Sequence, residues 1–263
     1  MNLGSYVFAI RAFDSVIRVE SESEELQETL NRFLVPPLPR CDVPSGEADI
    51  HIQVLGASGG FDILFDHQKV LSAETIPDAA LATVKALDDV LVRKLKTLRA
   101  VHAGAVVLKG RAILIPGSTH AGKSSLVAEL LRRGATHLSD EYALVDQTGR
   151  VHTYPRPLLL RNGSPKQSLV LPGDLNSSFA MEPVPVGWIL AVDYDPGESW
   201  NIHQISQGEA VMLLLRNTPH EMGHSPEMID LFMRSVAGAE CYQGIRGDVI
   251  DAASRILELV SDR

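Results

Sequence analysis

The sequence contains little cysteine and no pattern of metal-binding cysteines. Only Cys41 and Cys241 occur among its 263 residues, and they lie far apart in the chain. This spacing indicates neither a disulfide framework nor a zinc knuckle. Two unpaired cysteines are typical of a protein of the reducing cytoplasm, which is the location we expect.

Basic residues are also scarce, and no long apolar segment occurs. The chain has 24 Lys and Arg against 33 Asp and Glu, a formal net charge of -9, which is the wrong sign for binding a nucleic-acid backbone. The first residues, MNLGSYVFAIRAF, lack a basic region followed by a long apolar one. No window approaches the ~20 apolar residues of a membrane span. We therefore expect neither a nucleic-acid nor a membrane partner.

The first hundred residues have the pattern of a small α/β domain. Residues 6–20 predict one strand or a hairpin, and Ser21 with Glu24 predicts a capped helix that runs to Leu34. Residues 49–55 alternate as in a half-buried strand. Pro77 opens a second predicted helix, whose buried stripe comprises Leu81, Val84, Leu87, Leu91, Leu95 and Leu98. We predict a domain over 1–96 and a second domain over 97–263.

The second domain begins with two short apolar strands. VHAGAVVL and RAILIP are separated only by Lys109-Gly110, which predicts an antiparallel hairpin. A helix from Ser124 to Arg133 should follow and stop at Gly134. The acidic pair Asp140-Glu141 comes after this single helix and one short strand, which leaves no room for an added crossover unit. A mixed sheet is therefore favoured over a doubly wound parallel sheet.

The segment between this hairpin and this helix, GSTHAGKSSL, fits the phosphate-binding pattern G-x-x-x-x-G-K-[ST]. Backbone N–H groups of such a loop surround phosphate oxygens, and the start of the next helix adds partial positive charge. Lys123 is predicted to bind the β- and γ-phosphates, and Ser124 to bind Mg²⁺. The predicted nucleotide contacts are Gly117, Ser118, Thr119, His120, Ala121, Gly122, Lys123, Ser124 and Ser125.

The run RAVHAGAVVLKGRAILIPGSTHAGKSSLVAELLRRGATHLSDEYALV resembles the catalytic core of the HPr kinase/phosphorylase family, and the resemblance extends over about residues 99–162. Three features carry the resemblance, namely His102 before the hairpin, the loop ending in Gly122-Lys123-Ser124, and the pair Asp140-Glu141 after R-R-G.

The resemblance implies a mixed-sheet P-loop core of the HPr kinase and phosphoenolpyruvate carboxykinase type. It also implies an ATP- and Mg²⁺-dependent kinase that acts on a serine. The shorter members that modify lasso-peptide precursors are similar in size, so a peptide or small protein is the expected acceptor. Members tend to form homo-oligomers.

Site roles follow from the resemblance and from residue chemistry together. Asp140 is the expected residue that orients or deprotonates the acceptor hydroxyl, and Glu141 the expected metal ligand beside Ser124. Adjacent strand residues point to opposite faces, which leaves an exchange of these two roles open. By resemblance, His102 should lie beside Asp140. Arg156 and Arg161 are candidates to bind phosphate or a substrate carboxylate, with surface solvation as the alternative.

Two other functions remain open at this stage. Glu141 stands where the family usually has Asp, and the longer signature loop of HPr kinases has no clear copy, so a nucleotide-binding sensor or scaffold without transfer activity is an alternative. Residues 220–224, HEMGH, match the H-E-x-x-H pattern of zinc metallopeptidases. That site needs a continuous helix, whereas Pro219, Gly223 and Pro226 predict a loop between two helices.

Overall fold

The computed structural model describes residues 6–34, 38–42, 48–118, 121–161, 163, 165–223 and 225–261. These residues form two compact units. The first comprises residues 1–96 and 161–169, and the second comprises 97–160 and 170–263. No helix in these described ranges is long and apolar enough to cross a bilayer.

The first unit is a five-stranded mixed sheet with two helices. The strands follow the order β1-β2-β3-β4-β5, in which only the β2–β3 pair is parallel. Alternating residues such as Ile17, Val19, Ile50 and Ile52 are buried, and the two helices pack against each other. Its elements are β1 Tyr6–Ala12, β2 Ser15–Ser21, α1 Glu24–Leu34, β3 Ile50–Ala57, β4 Gly60–Phe65, β5 Gln68–Ala73 and α2 Ile76–Lys94.

Two details of the first unit correct the sequence-based expectations. Ser23, not Ser21, caps α1, because its Oγ accepts a hydrogen bond from the Leu26 amide at 3.2 Å. Ser21 ends β2 and donates its hydroxyl proton to the Gln27 side chain at 2.7 Å. Helix α2 ends at Lys94, so the predicted apolar stripe overran the helix by about one turn.

The second unit is built on an eight-stranded mixed sheet. Its main path is β10-β9-β6-β7-β13-β15-β14, and β8 pairs with β6 beside β9. The elements from residue 99 onward are β6 Arg99–Leu108, β7 Arg111–Pro116, α3 Lys123–Arg132, β8 Thr136–Ser139, β9 Tyr142–Val145, β10 Arg150–His152, β11 Leu158–Leu160, β12 Ser168–Val170, β13 Val184–Tyr194, β14 Asn201–Gln204, α4 Gln207–Arg216, α5 Pro226–Val236, β15 Glu240–Arg246 and α6 Val249–Ser261, with 3-10 turns at Pro172–Leu175 and His220–Met222.

The mixed character of this sheet confirms the prediction made from the short β6–β7 connection. Strands β6 and β7 form an antiparallel hairpin, whereas β7, β13 and β15 are mutually parallel neighbours. Strand β10 also pairs with the start of β13, which closes β10, β9, β6, β7 and β13 into a ring. Helices α3 and α6 pack on one face of the sheet, and α4 and α5 pack on the other.

Close approach of α3 to the sheet depends on a glycine in β6. A Cβ atom at Gly104 would lie 2.7 Å from Cγ2 of Val127 on α3, well inside van der Waals contact. The absence of a side chain at residue 104 therefore lets the helix, and the loop that precedes it, lie close to β6.

Candidate functional site

Strand β7 leads directly into the loop at residues 117–122, at the carboxyl ends of the parallel strands. Lys123 is 7% exposed, and its Nζ donates to the carbonyl oxygens of Gly117 at 2.9 Å and Ser118 at 2.8 Å. The Ala121 amide also donates to the Ser118 oxygen, at 3.2 Å. The described part of the loop therefore folds around the lysine ammonium group. Thr119 and His120 lie outside the described residues.

Gly122 connects this loop to helix α3. Its φ of 74° lies in the left-handed region that favours glycine. No side chain caps α3, so the first N–H groups of the helix, which include those of Lys123, Ser124 and Ser125, have no partner one turn earlier in the helix. Such a helix start attracts anions.

The acidic pair lies where the strand opposite β6 is broken. Strand β8 pairs with the second half of β6 and β9 pairs with the first half, so Asp140 and Glu141 occupy the bend between them. The Ser139 hydroxyl accepts hydrogen bonds from the amides of Glu141 at 3.1 Å and Tyr142 at 2.9 Å. The Ala103 amide donates to the Glu141 carbonyl oxygen at 3.0 Å. The backbone of the acidic pair is therefore fixed on both sides.

Asp140 is the buried member of the pair, at 1% exposure. Its Oδ1 accepts a hydrogen bond from Arg156 Nη1 at 3.2 Å, and its Oδ2 accepts one from the Leu159 amide at 3.1 Å. Ser124 lies near enough to this carboxylate to lower its pKa. Burial raises the pKa of Asp140 above its ordinary value, and Arg156 offsets this rise only in part.

Glu141 is the open member, with a side chain that is 33% exposed. Its Oε1 lies 3.2 Å from His102 Nε2, and its Oε2 lies 3.6 Å from Arg156 Nη1. Burial alone would raise the pKa of Glu141, but the hydrogen bond from His102 and the charges of Arg156 and Lys123 outweigh it and lower that pKa. Glu141 is therefore a carboxylate at neutral pH.

The cationic groups of the site are a lysine and an arginine. Burial lowers the pKa of Lys123, and the charges of Glu141 and Asp140 offset part of this effect. Arg156, 4% exposed, contacts both carboxylates of the pair. Arg161 is exposed and belongs to the first unit.

The structure thus brings together Lys123, Ser124, Asp140, Glu141 and His102, with Arg156 as a sixth member. His102 contacts Glu141, whereas the resemblance placed it beside Asp140. Three further participants were missed in the sequence. A serine directly before an acidic pair signals a turn, so Ser139 could have been found. No pattern in the sequence predicts the hydrogen bond from the Leu159 amide to Asp140, or the one from Arg246 Nη2 to the Gly122 carbonyl oxygen.

The H-E-x-x-H segment does not form the helix that a zinc site of this type requires. His220–Met222 is a single 3-10 turn, and Gly223 follows with a φ of 62°. His224 lies outside the described residues. Within the described ranges, no cluster of three or more His, Cys, Asp or Glu side chains could hold a metal ion.

Comparison with solved structures gives 57 matching chains. The HPr(Ser) kinase/phosphatase from Coxiella burnetii aligns over 63% of this chain and 99% of its own, with 14% sequence identity and a TM-score of 0.35. A similarity of this size does not establish a common fold. No protein-family model matches the sequence, and comparison with curated proteins gives no match.

Proposed function

We propose that this protein is an ATP- and Mg²⁺-dependent phosphotransferase that transfers the γ-phosphoryl group to a hydroxyl, most simply the serine of a peptide or small protein. The observation that carries the proposal is the position of the acidic pair beside the phosphate-loop motif. Pro116, the last residue before the loop, pairs with Ala103, whose amide donates a hydrogen bond to the Glu141 carbonyl oxygen at 3.0 Å.

The loop has the features that a phosphate group needs. Two loop carbonyl oxygens now accept hydrogen bonds from Lys123 Nζ, in the way that phosphate oxygens would. Helix α3 begins directly after Gly122 without a side-chain cap, and its first N–H groups add donors and partial positive charge. Lys123 and these amides would hold the β- and γ-phosphates of ATP.

Ser124 and Asp140 form a suitable pair of ligands for Mg²⁺. The ion prefers oxygen ligands, and in nucleotide sites it binds one or two protein oxygens together with phosphate oxygens. The Ser124 hydroxyl lies near the Asp140 carboxylate, whose pKa it lowers. Bound Mg²⁺ would neutralise charge on the phosphates, and it would also favour the ionised form of Asp140, whose pKa burial now raises.

Glu141 is better placed than Asp140 to meet an acceptor. Its side chain is 33% exposed, whereas Asp140 has no exposed side-chain surface. Glu141 would orient the acceptor hydroxyl and take its proton while the new P–O bond forms and the bond to ADP breaks. His102 would hold the Glu141 carboxylate in place. These roles exchange those expected for the acidic pair from the sequence.

Arg156 supports both halves of the proposed reaction. Its Nη1 lies 3.2 Å from Asp140 Oδ1 and 3.6 Å from Glu141 Oε2. One guanidinium group therefore lies against both carboxylates, and its charge lowers the pKa of each. Electrostatic stabilisation and positioning of this kind account for most of the catalysis in phosphoryl transfer.

The proposal is tested by incubating the protein with γ-labelled ATP, Mg²⁺ and a pool of serine-containing peptides. We expect label on serine with the wild-type protein and none with Lys123→Ala. Glu141→Gln should lower the turnover number by about 10²- to 10⁴-fold without changing the Mg²⁺ concentration at half-maximal rate. Asp140→Asn should raise that concentration.

The exposed Glu258→Gln on α6 is a matched control for charge removal and should leave both quantities unchanged. A changed Mg²⁺ concentration at half-maximal rate with Glu141→Gln, and not with Asp140→Asn, would instead make Glu141 the metal ligand and Asp140 the base, as expected from the sequence. ATP binding that depends on Lys123, without transfer to any peptide, would contradict the kinase and favour the sensor.

A further inference from the structure

A second group of residues lies beside the loop, on the side away from the acidic pair. Strand β7 is flanked by β6, which carries the acidic bend, and by β13. Strand β13 is parallel to β7, and β15 is parallel to β13, with Tyr194 opposite Arg246. Since the carboxyl ends of parallel strands meet at one edge of a sheet, Tyr194 and Arg246 lie at the same edge as the loop.

Arg246 is fixed against the end of the loop. It is 2% exposed, its Nη2 donates to the Gly122 carbonyl oxygen at 3.0 Å, and its Nη1 donates to the Gly247 carbonyl oxygen at 3.1 Å. Burial lowers the pKa of Arg246, although arginine stays charged at neutral pH. No pattern in the sequence predicts a function for this buried cation.

Tyr194 covers this arginine. The guanidinium carbon of Arg246 lies 4.9 Å from the centre of the Tyr194 ring, a cation–π distance. Tyr194 Cβ is 3.6 Å from the position that a Cβ atom of Gly122 would take, so the tyrosine begins directly beside the loop. The residue is nevertheless 48% exposed. One side of the ring is therefore held by a buried cation, while much of the side chain remains open to solvent.

We propose that Tyr194 is the stacking surface for the nucleobase of the bound nucleotide, and that Arg246 positions it. This inference rests on the proposed function, because that function places the γ-phosphate near Ser124 and Asp140, on the β6 side of the loop. The nucleoside of the same molecule then extends to the β13 side, where Tyr194 lies. An aromatic ring at this place matches the flat face of a purine or pyrimidine, and stacking of this kind tolerates any base.

The test compares a ligand that has a base with one that has only phosphates. Calorimetric titrations with Mg·ATP and with Mg·tripolyphosphate are run on the wild type, Tyr194→Ala, Tyr194→Phe and Lys123→Ala. Loss of one base stack should weaken Mg·ATP binding to Tyr194→Ala by about 5- to 150-fold and leave tripolyphosphate binding unchanged. Tyr194→Phe keeps the ring and should bind both ligands as the wild type does. Lys123→Ala should weaken both.

The outcomes separate the two proposals. If Tyr194→Ala binds Mg·ATP as tightly as the wild type while Lys123→Ala loses both ligands, the stacking role is wrong and the phosphate site stands. Equal weakening of both ligands by Tyr194→Ala also overturns the stacking role, because it would mean that the loop itself is disturbed. Unchanged binding with Lys123→Ala would overturn the proposed function.

A spectroscopic measurement checks the same contact without removing the ring. Tyr194→Trp retains an aromatic face at residue 194. Its added fluorescence, measured against the wild-type protein, should change with Mg·ATP and stay constant with Mg·tripolyphosphate. A change of equal size with both ligands would contradict contact between residue 194 and the base.

Discussion

Replacement of Gly122 by alanine should damage the site more than the same change at the other end of α3. Gly122 has a φ of 74°, and a Cβ atom there would lie 2.1 Å from Arg246 Nη2. Gly134, just after α3, has a φ of 95°, and a Cβ atom there would have no atom within 4 Å. The two substitutions share backbone strain, but only Gly122→Ala adds a collision with a buried cation.

The magnitudes follow from these two differences. Left-handed strain costs a non-glycine residue about 1–2 kcal/mol. A hydrogen bond to a charged group contributes about 1.5–3 kcal/mol, and Gly122→Ala forces Arg246 away from the Gly122 carbonyl oxygen. Gly134→Ala should therefore lower the free energy of unfolding by about 1–2 kcal/mol, and Gly122→Ala by about 2.5–5 kcal/mol.

Urea denaturation followed by tryptophan fluorescence measures this difference. Both tryptophans of the chain, Trp188 and Trp200, lie in the second unit, so the signal reports on the unit that contains α3. Gly122→Ala should also weaken Mg·ATP binding, whereas Gly134→Ala should not. Equal losses of stability in the two variants would refute the reasoning, because the contact with Arg246 would then contribute nothing.

Three further substitutions test other parts of the second unit. His137 is fully buried, its ring nitrogens have no hydrogen-bond partner within the described chain, and burial lowers its pKa to about 3. Between pH 6.5 and 3 only the unfolded chain takes up this proton. The free energy of unfolding should therefore decrease by about 1.4 kcal/mol for each pH unit by which the pH is lowered in this range. His137→Leu should flatten that slope in urea titrations at several pH values, and an unchanged slope would be contrary evidence. Ser139→Ala leaves the amides of Glu141 and Tyr142 without a hydrogen-bond acceptor. It should lower the free energy of unfolding by about 1–3 kcal/mol and reduce the rate of phosphoryl transfer. Wild-type stability together with a wild-type rate would contradict a role of Ser139 in holding the acidic pair. Gly104→Ala forces a Cβ atom against Val127 and should lower the free energy of unfolding by about 1–3 kcal/mol. An unfolding midpoint equal to that of the wild type would disprove this expectation.

The parts of the fold that local sequence determines were predictable. The connection Lys109-Gly110 is too short for anything except a hairpin, and both residues adopt positive φ in the turn. Pro226 helped to predict a loop between two helices, and the second of these helices, α5, begins at Pro226. Chain geometry and capping act over a few residues, so a single sequence contains them.

Features that depend on distant residues were not predictable. Nothing near Arg246 indicates that it will contact Gly122, which lies 124 residues earlier. The pairing of β10 with β13 could not be predicted either, because nothing in the short sequence of β10, Arg150–His152, selects its partner strand. Such contacts arise from packing of the whole sheet.

The roles within the acidic pair also needed the structure. Strand alternation predicts only that Asp140 and Glu141 face opposite sides. The pair instead lies in a bend fixed by Ser139, where the Asp140 carboxylate is buried against Arg156 and the Glu141 carboxylate is open beside His102. Burial distinguishes the two residues, and no local pattern determines it.

The most direct test of the central claim is the chemical identity of the phosphorylated product. Peptides recovered after incubation with γ-labelled ATP and Mg²⁺ are hydrolysed, and the labelled amino acid is identified. The account predicts phosphoserine, formed at a rate that falls to background with Lys123→Ala. Label recovered only in ATP or inorganic phosphate, with every peptide unmodified while Lys123-dependent ATP binding persists, would contradict it.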